Sequence, residues 1–159
     1  MPLIESTILD AESGGQGLGV QWAEWVSAIL FNGLGRYDRA LAWAQRAADA
    51  TPQLQFGVWA LTELIEAAVH LGKPDVATGA LERVMAATAP SSTDWGRGIQ
   101  ARCRALLSQG ERAERLHREA IERLGRTRRR PDLGRAHLLY GEWLRESPGR
   151  RTCPTPDRP

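Results

Sequence analysis

The chain has 159 residues, 42% of them hydrophobic and 25% charged, with a formal net charge of +2. That length and balance fit one globular domain with a real core and exclude collagenous and strongly disordered classes. Its two cysteines, Cys103 and Cys153, lie far apart and make no metal or redox spacing, which excludes a disulfide-built scaffold.

Residues 1–17 read as an N-terminal extension. The opening MPLIESTILDAESGG has no basic n-region and no long apolar core, so no signal peptide is expected. No stretch reaches the ~18 uncharged apolar residues of a membrane span. The expected location is therefore the cytoplasm, with no membrane partner.

From residue 18 the apolar positions follow a helical period. Trp22, Trp25, Val26 and Ile29 share one face of a helix expected at 18–32. Tyr37, Ala40, Leu41, Ala44, Ala47 and Ala48 form the stripe of a second helix at 36–50, which Thr51-Pro52 ends. Gly33 to Gly35 joins the two as an antiparallel hairpin, and the small alanines let the backbones approach closely. Further helices are expected at 55–71, 74–88, 94–108, 111–125 and 132–146. Pro74 and Pro131 suit first-turn positions, where a missing N–H costs nothing, and APSST at 89–93 supplies a breaker and caps. Residues 147–159, with Pro148, Pro154, Pro156 and Pro159, cannot continue a helix and read as a disordered Pro/Arg-rich tail.

The pattern repeats. A shift of 37 carries Trp22 to Trp59, Gly35 to Gly72, Asp38 to Asp75 and Ala40 to Ala77. A shift of 36 then carries Trp59 to Trp95, and Gly110 is a looser counterpart of Gly72. One hairpin cannot bury its apolar face alone, so hairpins of this period are expected to stack around a shared core. The expected fold is all-α, a helical-repeat domain over 18–146 with three hairpins and one extra helix. Trp22, Gly35, Tyr37, Ala40, Ala47, Trp59, Gly72, Ala77, Trp95 and Gly110 are its expected packing positions.

Charge is uneven along the chain. Residues 1–96 hold 5 basic and 11 acidic side chains, and residues 97–159 hold 16 and 8. Much of that arginine is expected in Glu-first i,i+4 pairs: Glu111/Arg115, Glu114/Arg118, Glu119/Arg123 and Glu122/Arg126. The remainder, RTRRRP from Arg126 to Pro131, is expected to be a solvated loop, because phosphate tracking needs several spread contacts.

The run Gly35-x-Tyr37-x-x-Ala40, with Ala47 and Pro52, resembles the tetratricopeptide (TPR) consensus of turn glycine, aromatic, packing alanines and closing proline. The second repeat departs from it, with Pro74 in place of the tyrosine. Three longer segments, WALTELIEAAVHLGKPDVATGALERV (59–84), SSTDWGRGIQARCRALLSQGERAERLHREAIERLGRTRRR (91–130) and RAHLLYGEWLR (135–145), resemble the TPR-like part of large LuxR-type transcriptional regulators of actinobacteria. The resemblance implies a regulatory segment that senses or binds a protein partner or the regulator's other modules. In that family a nucleotide-binding module precedes this region and a helix-turn-helix follows it. Neither motif occurs here: LGKP at 71–74 lacks the upstream glycine and the Ser/Thr of a phosphate loop. The chain is thus expected to be a fragment that by itself binds neither ATP nor a specific duplex. The alternative is a free-standing TPR-like adaptor holding a peptide in its concave groove.

No arrangement of nucleophile, base and orienter supports an enzyme, and no cofactor or metal is expected. Cys103 lies on an apolar stripe with Trp95, Ile99 and Leu106 and reads as an inert core thiol. His117 and His137 read as core or boundary histidines, since no second ligand stands three or four residues away; His70 reads as a helix C-terminal cation. The recurring Trp22, Trp59 and Trp95 read as shared packing, while Trp25, Trp43 and Trp143 are freer to line a surface. In the last helix Leu133, Ala136, Tyr140, Trp143 and Leu144 form a stripe wide enough to need cover on two sides. With no eighth helix to meet it, this stripe is expected to stay partly exposed, as the place for self-association or partner docking.

Overall fold

The computed structural model describes residue 6 and residues 17–49, 55–90 and 92–147. Most of the expected N-terminal extension, the Thr51-Pro52 stop and the tail from Pro148, with Cys153, lie outside the described residues. Seven helices and no strand are present among those described: α1 Gly17–Gly33, α2 Tyr37–Asp49, α3 Gln55–His70, α4 Pro74–Thr88, α5 Asp94–Leu106, α6 Gly110–Gly125 and α7 Arg130–Glu146. Each boundary falls within two residues of its expected place.

The reversals are set by three glycines in the left-handed region: Gly35 at φ 67°, Gly72 at 65° and Gly110 at 59°. The first two turns share one hydrogen-bond pattern. Arg36 N–H donates to Phe31 C=O at 2.9 Å and Gly35 N–H to Asn32 C=O at 3.1 Å. Lys73 and Gly72 repeat this on Ala68 and Val69 at 2.8 and 3.0 Å. Both are Schellman caps, which satisfy the helix's last carbonyls and require a residue with little penalty at positive φ. The third turn is looser, as its sequence implies. Leu107 caps α5, and Gly110 takes its positive φ two residues past Ser108, at the start of α6.

Pairs α1/α2, α3/α4 and α5/α6 form hairpins that pack on one another in chain order, through α2 and α1 on α3, then α4 and α3 on α5. Their shared core is lined largely by alanine, including Ala40, Ala44, Ala47, Ala60, Ala67, Ala77 and Ala101. Small side chains bring the helix axes close, and side-chain amides bridge between helices. Gln21 Nε2 donates to Ala47 C=O at 2.8 Å, and Gln100 Nε2 donates to Thr88 Oγ1 at 2.7 Å. Helix α3 is buried on every side from Leu61 to Ala68, polar Thr62, Glu63 and Glu66 included. It is the centre of the molecule.

The expected caps and pairs are in place. Thr93 Oγ1 accepts from Gly96 N–H at 3.2 Å, and Pro74 and Pro131 sit in first turns. All four Glu-first pairs on α6 form. Arg123 and Arg126 also reach Asp94 of α5, at 3.0 and 3.8 Å, closing the third hairpin.

A cavity between the inner helices and α7

Helices α1, α3 and α5 present one inner face, and its residues differ from the alanine core behind them. Trp25 and Ile29 come from α1, Trp59, Thr62 and Glu63 from α3, and Ile99 and Arg102 from α5. The repeat explains the alignment, because each of these helices opens its hairpin at the same phase. The recurring tryptophans differ in their surroundings. Trp22 is 48% exposed, Trp59 is half-buried on the inner face, and Trp95 is half-buried against the core. Trp25 and Trp59 line the groove. There Trp25 lies 5.0 Å from Trp59 and 5.2 Å from Trp22.

Helix α7 roofs this face. Its stripe of Leu133, Ala136, Leu139, Tyr140 and Trp143 packs toward α6, where His117 stacks on Tyr140 at 5.4 Å and lies 5.8 Å from Trp143. Ala136 and Leu139 are buried and Leu133, Tyr140 and Trp143 half-buried. Leu144, the last residue of the stripe expected to stay partly exposed, is exposed. The opposite side of α7, with Arg135 and the exposed Leu138, borders the groove lined by α1 and α3. Arg135 Nε donates to Glu66 Oε2 at 2.9 Å, and its Nη2 donates to Glu66 Oε1. Further along, the α7 carboxylate of Glu142 adds to burial in raising the pKa of Tyr37, whose ring stacks on His70 at 4.0 Å.

Between floor and roof lies a cavity of about 540 Å³. Ligand pockets commonly have volumes of ≈ 300–1,000 Å³ and apolar, aromatic walls with a few polar groups. Trp25, Trp59, Ile29, Ile99 and Leu138 supply the apolar wall here. The polar groups divide into committed and uncommitted ones. Arg135 is held by Glu66. Arg129 donates to Asp132 at 2.9 Å and lies 4.7 Å above Trp59 and 5.3 Å above Trp95, a guanidinium between two indole faces. Asp132 also accepts from Trp95 Nε1 at 3.0 Å. Arg102, only 4% exposed, reaches Asp132 at 4.0 Å, beyond hydrogen-bond length. Glu63, 8% exposed, accepts from Asn32 Nδ2 at 2.9 Å and pairs with no cation among the described residues. The indole N–H of Trp25 is buried without a partner.

Cys103 lies next to these charges. Burial raises its thiol to about 11 against the opposing pull of Arg102, so it stays protonated and unreactive at neutral pH. His117 is buried and His137 exposed, one position off the stripe that faces α6. His70 stands in the last turn of α3, its Nδ1 2.9 Å from Glu66 C=O. Among the described residues no group of three or more His, Cys, Asp or Glu is placed to hold a metal. No described helix is long and apolar enough to cross a membrane. The run RTRRRP is partly consumed internally, Arg126 by Glu122 and Asp94 and Arg129 by Asp132, leaving Arg128 and Arg130 exposed.

Sequence spacing identified the helices that build this cavity, but it missed Arg102 and Glu63. Both break the apolar pattern of otherwise buried faces, and that interruption is the signal that marks them. No family model, curated protein or solved structure matches the chain.

Proposed function

We propose that this chain is the sensing and interaction segment of a regulator, a TPR-like helical repeat of the kind found in LuxR-type transcriptional regulators. The observation that carries the reading is the cavity itself. Its wall draws on α1, α3, α5 and α7, so one occupant touches every inner helix and the roof at once. Binding there biases the spacing of the whole array, which is what a sensor needs in order to pass a signal to attached modules or partners. The shared caps at Gly35 and Gly72 support the repeat reading. A peptide adaptor is less favoured, because α7 and its Arg135–Glu66 pair occupy the groove that the peptide would need.

Sequencing the DNA on both sides of the coding region tests the reading. A phosphate-loop module encoded upstream and a helix-turn-helix downstream are the expected neighbours. Flanks encoding neither would overturn the regulator assignment.

A further inference from the structure

The cavity floor carries two buried charges of opposite sign, Arg102 and Glu63, that the fold answers only in part. Arg102 meets Asp132 Oδ1 at 4.0 Å, long for an ion pair, and the neighbouring Cys103 thiol, while Arg129 and the Trp95 indole hold the carboxylate's other oxygen. Glu63 finds only a neutral amide. A poorly paired buried charge is costly, so both groups keep bonding capacity for an occupant of the cavity. They stand on neighbouring helices, α5 and α3, and both line the same cavity. The other cavity cations, Arg129 and Arg135, are neutralised by Asp132 and Glu66. What remains is one positive and one negative group in one cavity, beside indoles and branched aliphatics.

We infer that the cavity binds a free apolar α-amino acid, with its carboxylate on Arg102, its ammonium on Glu63 and its side chain against Trp25 and Trp59. An α-amino acid carries its two charges on adjacent atoms, and guanidinium and carboxylate are the donor and acceptor that suit them. A simple organic acid would satisfy Arg102 and leave Glu63 bare; an amine would do the reverse. Under the sensor reading this amino acid is the effector, and the inference rests on that reading.

The test is a calorimetric titration of the whole chain with L-phenylalanine, L-leucine, phenethylamine and 3-phenylpropionate. At least one of the two amino acids is expected to bind, and L-phenylalanine to bind at least tenfold more tightly than the amine and the acid that match its side chain. In Arg102→Met phenylalanine should fall to the level of phenethylamine, and in Glu63→Gln to that of 3-phenylpropionate. Met replaces a buried charge by an apolar chain of similar length and Gln is isosteric, so both variants are expected to fold. Ile29→Trp, at a position 40% exposed, fills the cavity from its rim and should abolish all binding with the helical spectrum unchanged. Equal affinity for the four probes, no binding of either amino acid to the folded chain, or a ranking unmoved by the two charge variants would overturn the inference. Loss of binding retires this site, whereas the gene neighbourhood decides the regulator reading separately.

Discussion

A methyl group at Gly98 has nowhere to go. An added Cβ would stand 2.7 Å from Leu124 Cγ and 3.2 Å from Arg123 Cβ, and Leu124 is fully buried. Gly98→Ala is therefore expected to destabilise by roughly 1–3 kcal/mol, the usual cost of overpacking a filled interface. Gly79 and Gly141 lie inside helices where a Cβ meets nothing, so alanine there should stabilise by about 0.5–1 kcal/mol. Urea unfolding of the three variants checks both signs together. His117 gives a second prediction at this scale. It is buried against Tyr140 and Trp143 with neither ring nitrogen bonded, and burial lowers its pKa from 6.5 to about 4. Unfolded, the imidazole takes a proton near pH 6.5; folded, it resists until about pH 4. Its contribution is whole above pH 6.5 and drains away as pH falls towards 4, by about 3 kcal/mol. His117→Leu should remove that part of the acid sensitivity, read as a flatter plot of unfolding free energy against pH. The buried place of His117 was legible from its stripe with Ala113, Leu116 and Ala120. The exposure of Trp22 was not, because period shows which residues are equivalent and not whether their shared face meets core or groove.

At the scale of elements the helix ends were readable, since caps, prolines and turn glycines act within a few residues of themselves. The lie of α7 was not. Its second face is fixed by Glu66, 69 positions away, and no local spacing carries that. The pair is lopsided: the Glu66 side chain is 3% exposed and that of Arg135 21%. Arg135→Met leaves a carboxylate buried and bare, which should cost about 3 kcal/mol, the low end for a broken buried pair. Glu66→Gln keeps a hydrogen-bond acceptor and leaves Arg135 a route to solvent, so its cost should be nearer 1.5 kcal/mol, that of one charged hydrogen bond. The double variant Glu66→Leu/Arg135→Met should recover part of the larger loss. A double-mutant cycle on unfolding free energies measures this, and strict additivity would show that the two side chains do not hold α7 to the floor.

Across the whole molecule, stability is expected to be graded outward from α3. In stacked hairpins each unit leans on its neighbours, so the element with the most neighbours opens only when everything opens. Helix α3 meets α1, α2, α4 and α5 and is buried without a break from Leu61 to Ala68. Helix α7 packs closely on α6 alone, and its other side is held to the floor by Arg135–Glu66 and by Arg129 near the tryptophans. Amide exchange resolved by segment should thus find 61–68 slowest, with rates that track global unfolding in urea. Residues 133–144 should exchange faster, through an opening that low urea barely changes, because lifting one helix exposes little surface. In Arg135→Met that opening loses the clasp, and about 3 kcal/mol corresponds to about a hundredfold faster exchange in α7. The same substitution should alter α3 only as far as it lowers global stability. The measurement belongs in dilute solution, where Leu144 cannot be covered by a second copy. If α7 in the unaltered, dilute chain exchanges as slowly as α3, then the roof is part of the core, and a cavity beneath it has no door.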